Sequence, residues 1–254
     1  MIPSPLLVVT DRHGAGRPLT ETVSAVLEGG ARWIWFRDKD LEPEARRALA
    51  TALLRLVRKV GGRLTIGGDV GLAAEIGADG VHLSGSVFAG SVIASEAKLS
   101  SEPQRLADAA GLLRFARNDG AGPQATKQPG TGVADIVVQA RQRLNPGALV
   151  GLSAHSLADI RTAVEAGADY VTLSPIFATA SKPGYGPSLG LAALREAAGL
   201  GLPVIALGGI GAEQARLCRE AGAAGVAVMG GVMRADDPIA ETRLLIAVTS
   251  SPSS

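Results

Sequence analysis

A chain of 254 residues is long enough for one α/β barrel or for two small domains. Hydrophobic residues make up 46% of it but aromatic residues only 3%, so the core is expected to be aliphatic, the filling of a parallel sheet buried under helices. Lysine and arginine number 25 against 24 acids, a net charge of +1 that argues against a polyanion-binding surface and against nucleic acid as a partner.

The first apolar run, residues 6–9, reads as a strand with no charged leader before it. No segment approaches the ~20 apolar residues that cross a bilayer, so a cytoplasmic protein with no membrane partner is expected. A helix over residues 20–28 follows, then Gly30-Ala31 and a second strand ending in Trp33-Ile34-Trp35-Phe36. That strand runs into Arg37-Asp38-Lys39-Asp40, where the two-residue period of an extended segment puts Arg37 and Lys39 on one side. Two cations there suit a polyanionic ligand such as pyrophosphate; salt bridging to Asp38 and Asp40 is the alternative. A helix from Pro43 to residue 59, a strand over 63–66, a helix over 70–76 and a strand in Gly80-Val81-His82-Leu83 come next.

Residues 88–132, rich in Ser, Ala, Arg, Gly and Gln, read as an inserted surface excursion of low order with a short helix around residues 103–115. Parts of it, from Val92-Ile93-Ala94-Ser95 to Arg117-Asn118-Asp119-Gly120, look like a translated bacterial palindromic repeat element, which implies no selected function. The alternation then resumes: a helix over 134–143, a strand over 148–152 with Ser153 and His155 just past its end, and a helix over 156–165 capped by Ser156 with Asp159. The sixth strand, through Tyr170-Val171-Thr172-Leu173, leads into a long loop carrying Thr179, Ser181 and Lys182 between glycines, the composition of a substrate lid and also of an ordinary connection. After a helix over 189–198, the strand at 203–207 runs into Gly208-Gly209-Ile210-Gly211. The helix over 212–221 holds the lone Cys218, which has no partner for a disulfide and no sequence-adjacent histidine to activate it. The last strand ends in Met229-Gly230-Gly231, and Pro238 opens a helix to residue 247.

Eight strands alternating with helices, punctuated by helix-ending Gly-Ala phrases at residues 30, 77, 167 and 222, predict a single (β/α)8 barrel over residues 1–254. A doubly wound open sheet competes, but the first strand-helix turn lacks its Gly-x-Gly-x-x-Gly. Ligands of such barrels bind at the carboxyl ends of the strands, phosphate commonly at the loops after strands seven and eight. Gly208, Gly209, Met229 and Gly230 lie in those loops, where glycine lets backbone N–H groups approach an anion; simple chain reversal is the plainer reading.

Outside the insertion, the chain resembles thiamine-phosphate synthase and the related thiazole tautomerase. The resemblance rests on Val9-Thr10-Asp11, Arg37-Asp38-Lys39-Asp40, Gly77-Ala78-Asp79-Gly80-Val81-His82-Leu83, Gly151-Leu152-Ser153-Ala154-His155-Ser156, Ala168-Asp169-Tyr170-Val171, Ser174-Pro175-Ile176-Phe177 with Ala178-Thr179-Ala180-Ser181-Lys182, and Ala206-Leu207-Gly208-Gly209-Ile210. It implies a transferase that joins hydroxymethylpyrimidine pyrophosphate to thiazole phosphate through a cation-like pyrimidine, releasing pyrophosphate. Arg37 and Lys39 would hold the pyrophosphate, and Ser153 would stabilise the reacting centre. Thr179, Ser181 and Lys182 would clamp the phosphates, while Gly208, Gly209, Met229 and Gly230 would supply amides to the thiazole phosphate. Mg²⁺ is the implied cofactor, and small phosphorylated molecules are the implied partners; a homo-oligomer is compatible with this. The pattern breaks at three places. The family's pyrimidine-side glutamine is Trp35, its two Mg²⁺-binding aspartates match Gly68 and Val87, leaving neighbouring Asp69 as the candidate ligand, and the tautomerase histidine matches Pro175. An isomerase of thiazole phosphate and a non-catalytic thiazole-phosphate-binding protein are the other two readings.

Overall fold

The computed structural model describes residues 1–14, 16–88, 132–178 and 187–250. Its strands close into one parallel barrel in the order β1 to β8, each paired with its sequence neighbour and β8 returning to β1. They are β1 Leu6–Val9, β2 Trp33–Phe36, β3 Arg63–Gly67, β4 Gly80–Leu83, β5 Leu149–Ala154, β6 Tyr170–Leu173, β7 Val204–Leu207 and β8 Gly225–Val228. The helices are α1 Leu19–Glu28, α2 Pro43–Lys59, α3 Val70–Ile76, α4 Val133–Arg143, α5 Leu157–Glu165, α6 Gly190–Ala198, α7 Ala212–Glu220, the single turn α8 Gly230–Met233, and α9 Pro238–Thr249. This is the (β/α)8 architecture expected from the alternation. No helix among the described residues is long and apolar enough to cross a membrane.

The recurring Gly-Ala-Asp phrase has a local cause. After the glycine turns the chain, the aspartate reaches the neighbouring strand: Asp79 Oδ2 accepts from Leu64 N (2.9 Å) and Asp169 Oδ2 from Val150 N (2.7 Å). Each carboxylate thus satisfies a backbone donor where a strand begins, which holds adjacent strands in register. Strand β5 runs two residues further than the sequence suggests, so Ser153 pairs in register with Thr172 instead of lying beyond the ladder. Phe88 is buried in the core, and Gly132 precedes α4 directly; the rest of the expected excursion lies outside the described residues.

Two distinct cores result from strand alternation. Leu6, Val8, Ile34, Leu64, Ile66, Val81, Val150, Leu152, Val171 and Val226 face outward into an aliphatic layer under the helices. The lumen is different, because both tryptophans and a tyrosine are spent there: Leu7, Val9, Trp33, Trp35, Tyr170 and Ile205 pack against each other inside the barrel. An aliphatic core was expected from composition; it holds for the outer layer and fails for the lumen. Trp33 meets Tyr170 edge to face at 4.8 Å and donates from Nε1 to Thr65 Oγ1 at 2.9 Å.

Rings of that size fit only where neighbouring strands give up their side chains. A Cβ on Gly151 would stand 2.2 Å from Tyr170 Cζ, and one on Gly67 would stand 2.9 Å from Trp35 Nε1. Gly151→Ala is therefore expected to cost on the order of 3 kcal/mol in a urea or thermal melt, by overpacking a rigid ring. Combining it with Tyr170→Leu should recover part of that loss; simple additivity of the two changes would contradict the packing argument.

Candidate functional site

The carboxyl ends of the strands bring together most of the residues singled out in the sequence. Thr10, leaving β1, binds the segment leaving β2 twice: its hydroxyl donates to Asp38 Oδ2 (2.5 Å) and accepts from Arg37 N (3.0 Å). Asp38 is buried and also accepts from Arg12 N (2.8 Å). Arg46, on α2, donates from Nε to Asp38 O (3.1 Å), from Nη2 to Gly67 O (2.9 Å) and from Nη1 to Asp69 Oδ2 (2.6 Å). One nearly buried guanidinium thus joins the β2 and β3 exits, a role that sequence reading missed because a helical arginine gives no local sign of it. Asp40 pairs with His13, at 2.7 Å, and with Arg12; these contacts, His13 first, hold its carboxyl below the usual carboxylate range.

Both acids beside Arg37 and Lys39 are therefore engaged elsewhere. The Arg37 side chain is half-buried, and no acid among the described residues pairs with it. Lys39 is exposed, with Nζ 3.2 Å from where a Gly68 side chain would begin, so its ammonium stands over the turn from β3 to α3. A carboxylate side chain at residue 68 would have to share that space.

Just inside the mouth lies a buried polar cluster. His82 Nε2 is 2.9 Å from Ser153 Oγ and 3.3 Å from Thr172 Oγ1, and His82 Nδ1 is 3.0 Å from the Tyr170 hydroxyl. The Trp35 ring lies 4.0 Å from the imidazole, between centroids. Burial pushes the His82 pKa down to about 3, helped by the positive charge of Lys39, and burial pushes the Tyr170 phenol up. The imidazole is thus neutral at pH 7, with one nitrogen donating and the other accepting. Ser153, half-buried at the rim, is oriented by this ring. His155 is exposed, with Nδ1 2.8 Å from Ser174 O, and it flanks α5 by donating its N–H to Asp159 Oδ2.

On the opposite wall, β7 and β8 pair through Leu207 and Ala227, which brings their exits, Gly208-Gly209 and Met229-Gly230, alongside each other. Gly208 and Gly209 have φ of +103° and +65°, conformations that disfavour other residues. The start of the β6–α6 connection packs on them: Ile176 N donates to Leu207 O (2.9 Å) and Phe177 N to Gly208 O (3.1 Å). Gly230 and Gly231 open α8, whose first N–H groups have no acceptor within the helix. Thr179, Ser181 and Lys182 lie outside the described residues.

The residues present do not fit a bound Mg²⁺ of the kind the resemblance implies. Gly67 and Gly68 carry no ligand, and the Trp35 ring fills the space beside Gly67. Asp69 is committed, since Oδ1 caps α3 through Leu72 N (2.9 Å) and Oδ2 takes Arg46. Val87 cannot coordinate a metal, and no group of three acids, histidines or cysteines among the described residues could hold one.

Comparison with known proteins gives a consistent picture. A family model described as thiamine monophosphate synthase matches residues 6–110 and 133–232. A thiamine-phosphate synthase from Roseiflexus sp. (strain RS-1) is 35% identical, covering 96% of this chain and 84% of the relative. A putative thiamine-phosphate synthase from Geobacter sulfurreducens is 32% identical, covering 96% and 93%. The solved thiamine phosphate pyrophosphorylase of Pyrococcus furiosus superposes with a TM-score of 0.70 at 25% identity, over 97% of this chain and 95% of that one.

The buried imidazole makes stability depend on pH. The unfolded chain takes up a proton on His82 below about pH 6.5, whereas the folded protein does not until about pH 3, so the stability held above 6.5 declines as the pH falls through that window. Urea melts between pH 7 and 4 should show His82→Gln declining less steeply than the parent, by up to about 1.4 kcal/mol per pH unit. Parallel slopes would place the acid sensitivity elsewhere.

Proposed function

The chain belongs to the thiamine monophosphate synthase family, and from that membership we propose how its rim carries out the transferase reaction of thiamine biosynthesis. The substrates are hydroxymethylpyrimidine pyrophosphate and thiazole phosphate. The bond from the pyrimidine methylene carbon to the pyrophosphate oxygen breaks, the thiazole nitrogen bonds that carbon, and pyrophosphate leaves. Catalysis of this kind consists mostly of positioning and of charge placed in advance.

Arg37 and Lys39 receive the pyrophosphate. Their neighbouring acids, Asp38 and Asp40, are bound by Thr10, Arg12 and His13, and Arg37 and Lys39 leave β2 at the carboxyl end of the barrel. Ser153, held by neutral His82, hydrogen-bonds at the reacting centre between the two substrates. Gly208, Gly209, Met229 and Gly230 offer backbone amides to the phosphate of the thiazole, and Thr179, Ser181 and Lys182, outside the described residues, are assigned as further phosphate contacts from the family resemblance. The observation that carries this reading is the pairing of β7 with β8, which sets two glycine exits side by side at the same end of the barrel as Arg37 and Ser153. Members of the family generally depend on Mg²⁺. The positions of the aspartates that would hold the ion are Gly68 and Val87 here, so protein cations carry the leaving-group charge. We place the enzyme in the cytoplasm, with small phosphorylated molecules as its partners.

Purified protein given both substrates should release pyrophosphate, and Gly208→Asp should lower kcat/KM at least a hundredfold by placing a carboxylate against the phosphate and straining a positive-φ position. Release no faster than in the protein-free control would reject the transferase reading. Calorimetric titration with MgCl₂ alone should give no saturable heat in the low millimolar range; a saturable isotherm abolished by Asp69→Asn would restore a resident metal site.

A further inference from the structure

We propose that Arg234 is a further phosphate-binding residue, its guanidinium seated on the turn that follows β8, in space vacated by Gly230. The inference rests on the reading of the β7 and β8 exits as a phosphate cradle. Arg234 follows the last residue of α8, and its side chain folds back along that single turn. A Cβ on Gly230 would fall 1.8 Å from Arg234 Nη2, 2.5 Å from Cζ and 2.9 Å from Nη1. Any side chain at residue 230 would therefore displace the guanidinium, and with glycine there the cation lies directly against the backbone of a cradle residue.

Its surroundings hold it in that position. Asp11, leaving β1, sets Oδ2 3.6 Å from Arg234 Nη1, too long for a direct hydrogen bond but close enough to orient the cation. A Cβ on Gly14 would meet Asp11 Oδ2 at 3.0 Å and Arg234 Cγ at 3.3 Å, so the β1–α1 loop packs along the arginine stem. Behind it, Arg17 Nη2 donates to Ala235 O (2.8 Å) and Asp236 O (3.3 Å), fixing the chain just beyond Arg234. Arg17, Met233 and Arg234 line a crevice of about 270 Å³ between this loop and α8, and the Arg234 side chain remains about half exposed at its edge.

A planar guanidinium meets a phosphate with two parallel N–H donors, a geometry that backbone amides do not supply. Amides at the glycine exits would approach the phosphate from the barrel side, and Arg234 would cover it from the α8 side. The Gly230-Arg234 combination thus acts as one unit: the absent side chain creates the seat and the arginine occupies it.

Inorganic phosphate serves as the probe, so that the test does not depend on turnover. Binding measured by calorimetry should weaken roughly tenfold in Arg234→Ala and less in Arg234→Lys, and the KM for thiazole phosphate should rise by a similar factor, more than kcat changes. Gly230→Ser should cause the same loss in the parent by displacing the guanidinium, yet add nothing in the Arg234→Ala background. Phosphate binding unchanged in Arg234→Ala, or a Gly230→Ser penalty equal in both backgrounds, would overturn the proposal. If the protein makes no pyrophosphate but Arg234→Ala still weakens phosphate binding, the phosphate role stands and the transferase reading falls. Absence of phosphate binding by the parent would remove the cradle and Arg234 together.

Discussion

Closing eight short parallel strands into a ring leaves an interior that has to be filled without voids, and most of this structure follows from how that is done. Trp33, Trp35 and Tyr170 supply the volume, while Gly67 and Gly151, on strands paired with those of Trp35 and Tyr170, supply the room. Large against small on neighbouring strands is a tight constraint, because interiors pack at crystal-like density and a ring cannot yield by rotating a methyl group. The polar atoms of these rings then require partners inside the barrel. Trp33 finds Thr65 and Tyr170 finds His82, while the Trp35 N–H is buried with no acceptor among the described residues.

That filling reaches the functional rim through His82. The imidazole is held by Tyr170 below and Trp35 beside it, and it in turn holds Ser153. A hydroxyl at the mouth is therefore positioned by the same contacts that close the lumen. The exit from β3 shows the same coupling in another form. Where a side chain at residue 67 would project, the structure has the Trp35 ring, and where one at residue 68 would begin, it has the Lys39 ammonium. Arg46 ties the exits of β2 and β3 through Asp38, Gly67 and Asp69, turning a potential ligand carboxylate into a structural one. A rim built this way presents cations on one wall and backbone donors on the other.

Much of the scaffold was legible in the chain itself. The Gly-Ala punctuation and short apolar runs located all eight strands, and helices α2 and α3 have the boundaries their patterns indicate. The positions of Arg37, Lys39, Ser153 and the glycine exits of β7 and β8 at the carboxyl ends of strands were also readable. The lumen was not legible. Eight aromatic residues in 254 suggested a core without rings, but composition averages over the outer layer and the interior, and concentrating rings in a small volume leaves no trace in a percentage. The seat of Arg234 was hidden too, because Gly230 looked like one more loop glycine.

The order of strands and helices and the barrel architecture were legible in the sequence alone, through short apolar runs and the Gly-Ala phrases that separate them. Which residues touch between elements was decided only in three dimensions. Trp35 meets Gly67 and His82, Tyr170 meets Gly151, and Arg46 meets Asp69, all from different strands or helices. Local patterns record the direction in which a side chain points, whereas the distance between two side chains on separate strands is set by the register, tilt and curvature of the closed sheet, which no short stretch of sequence contains.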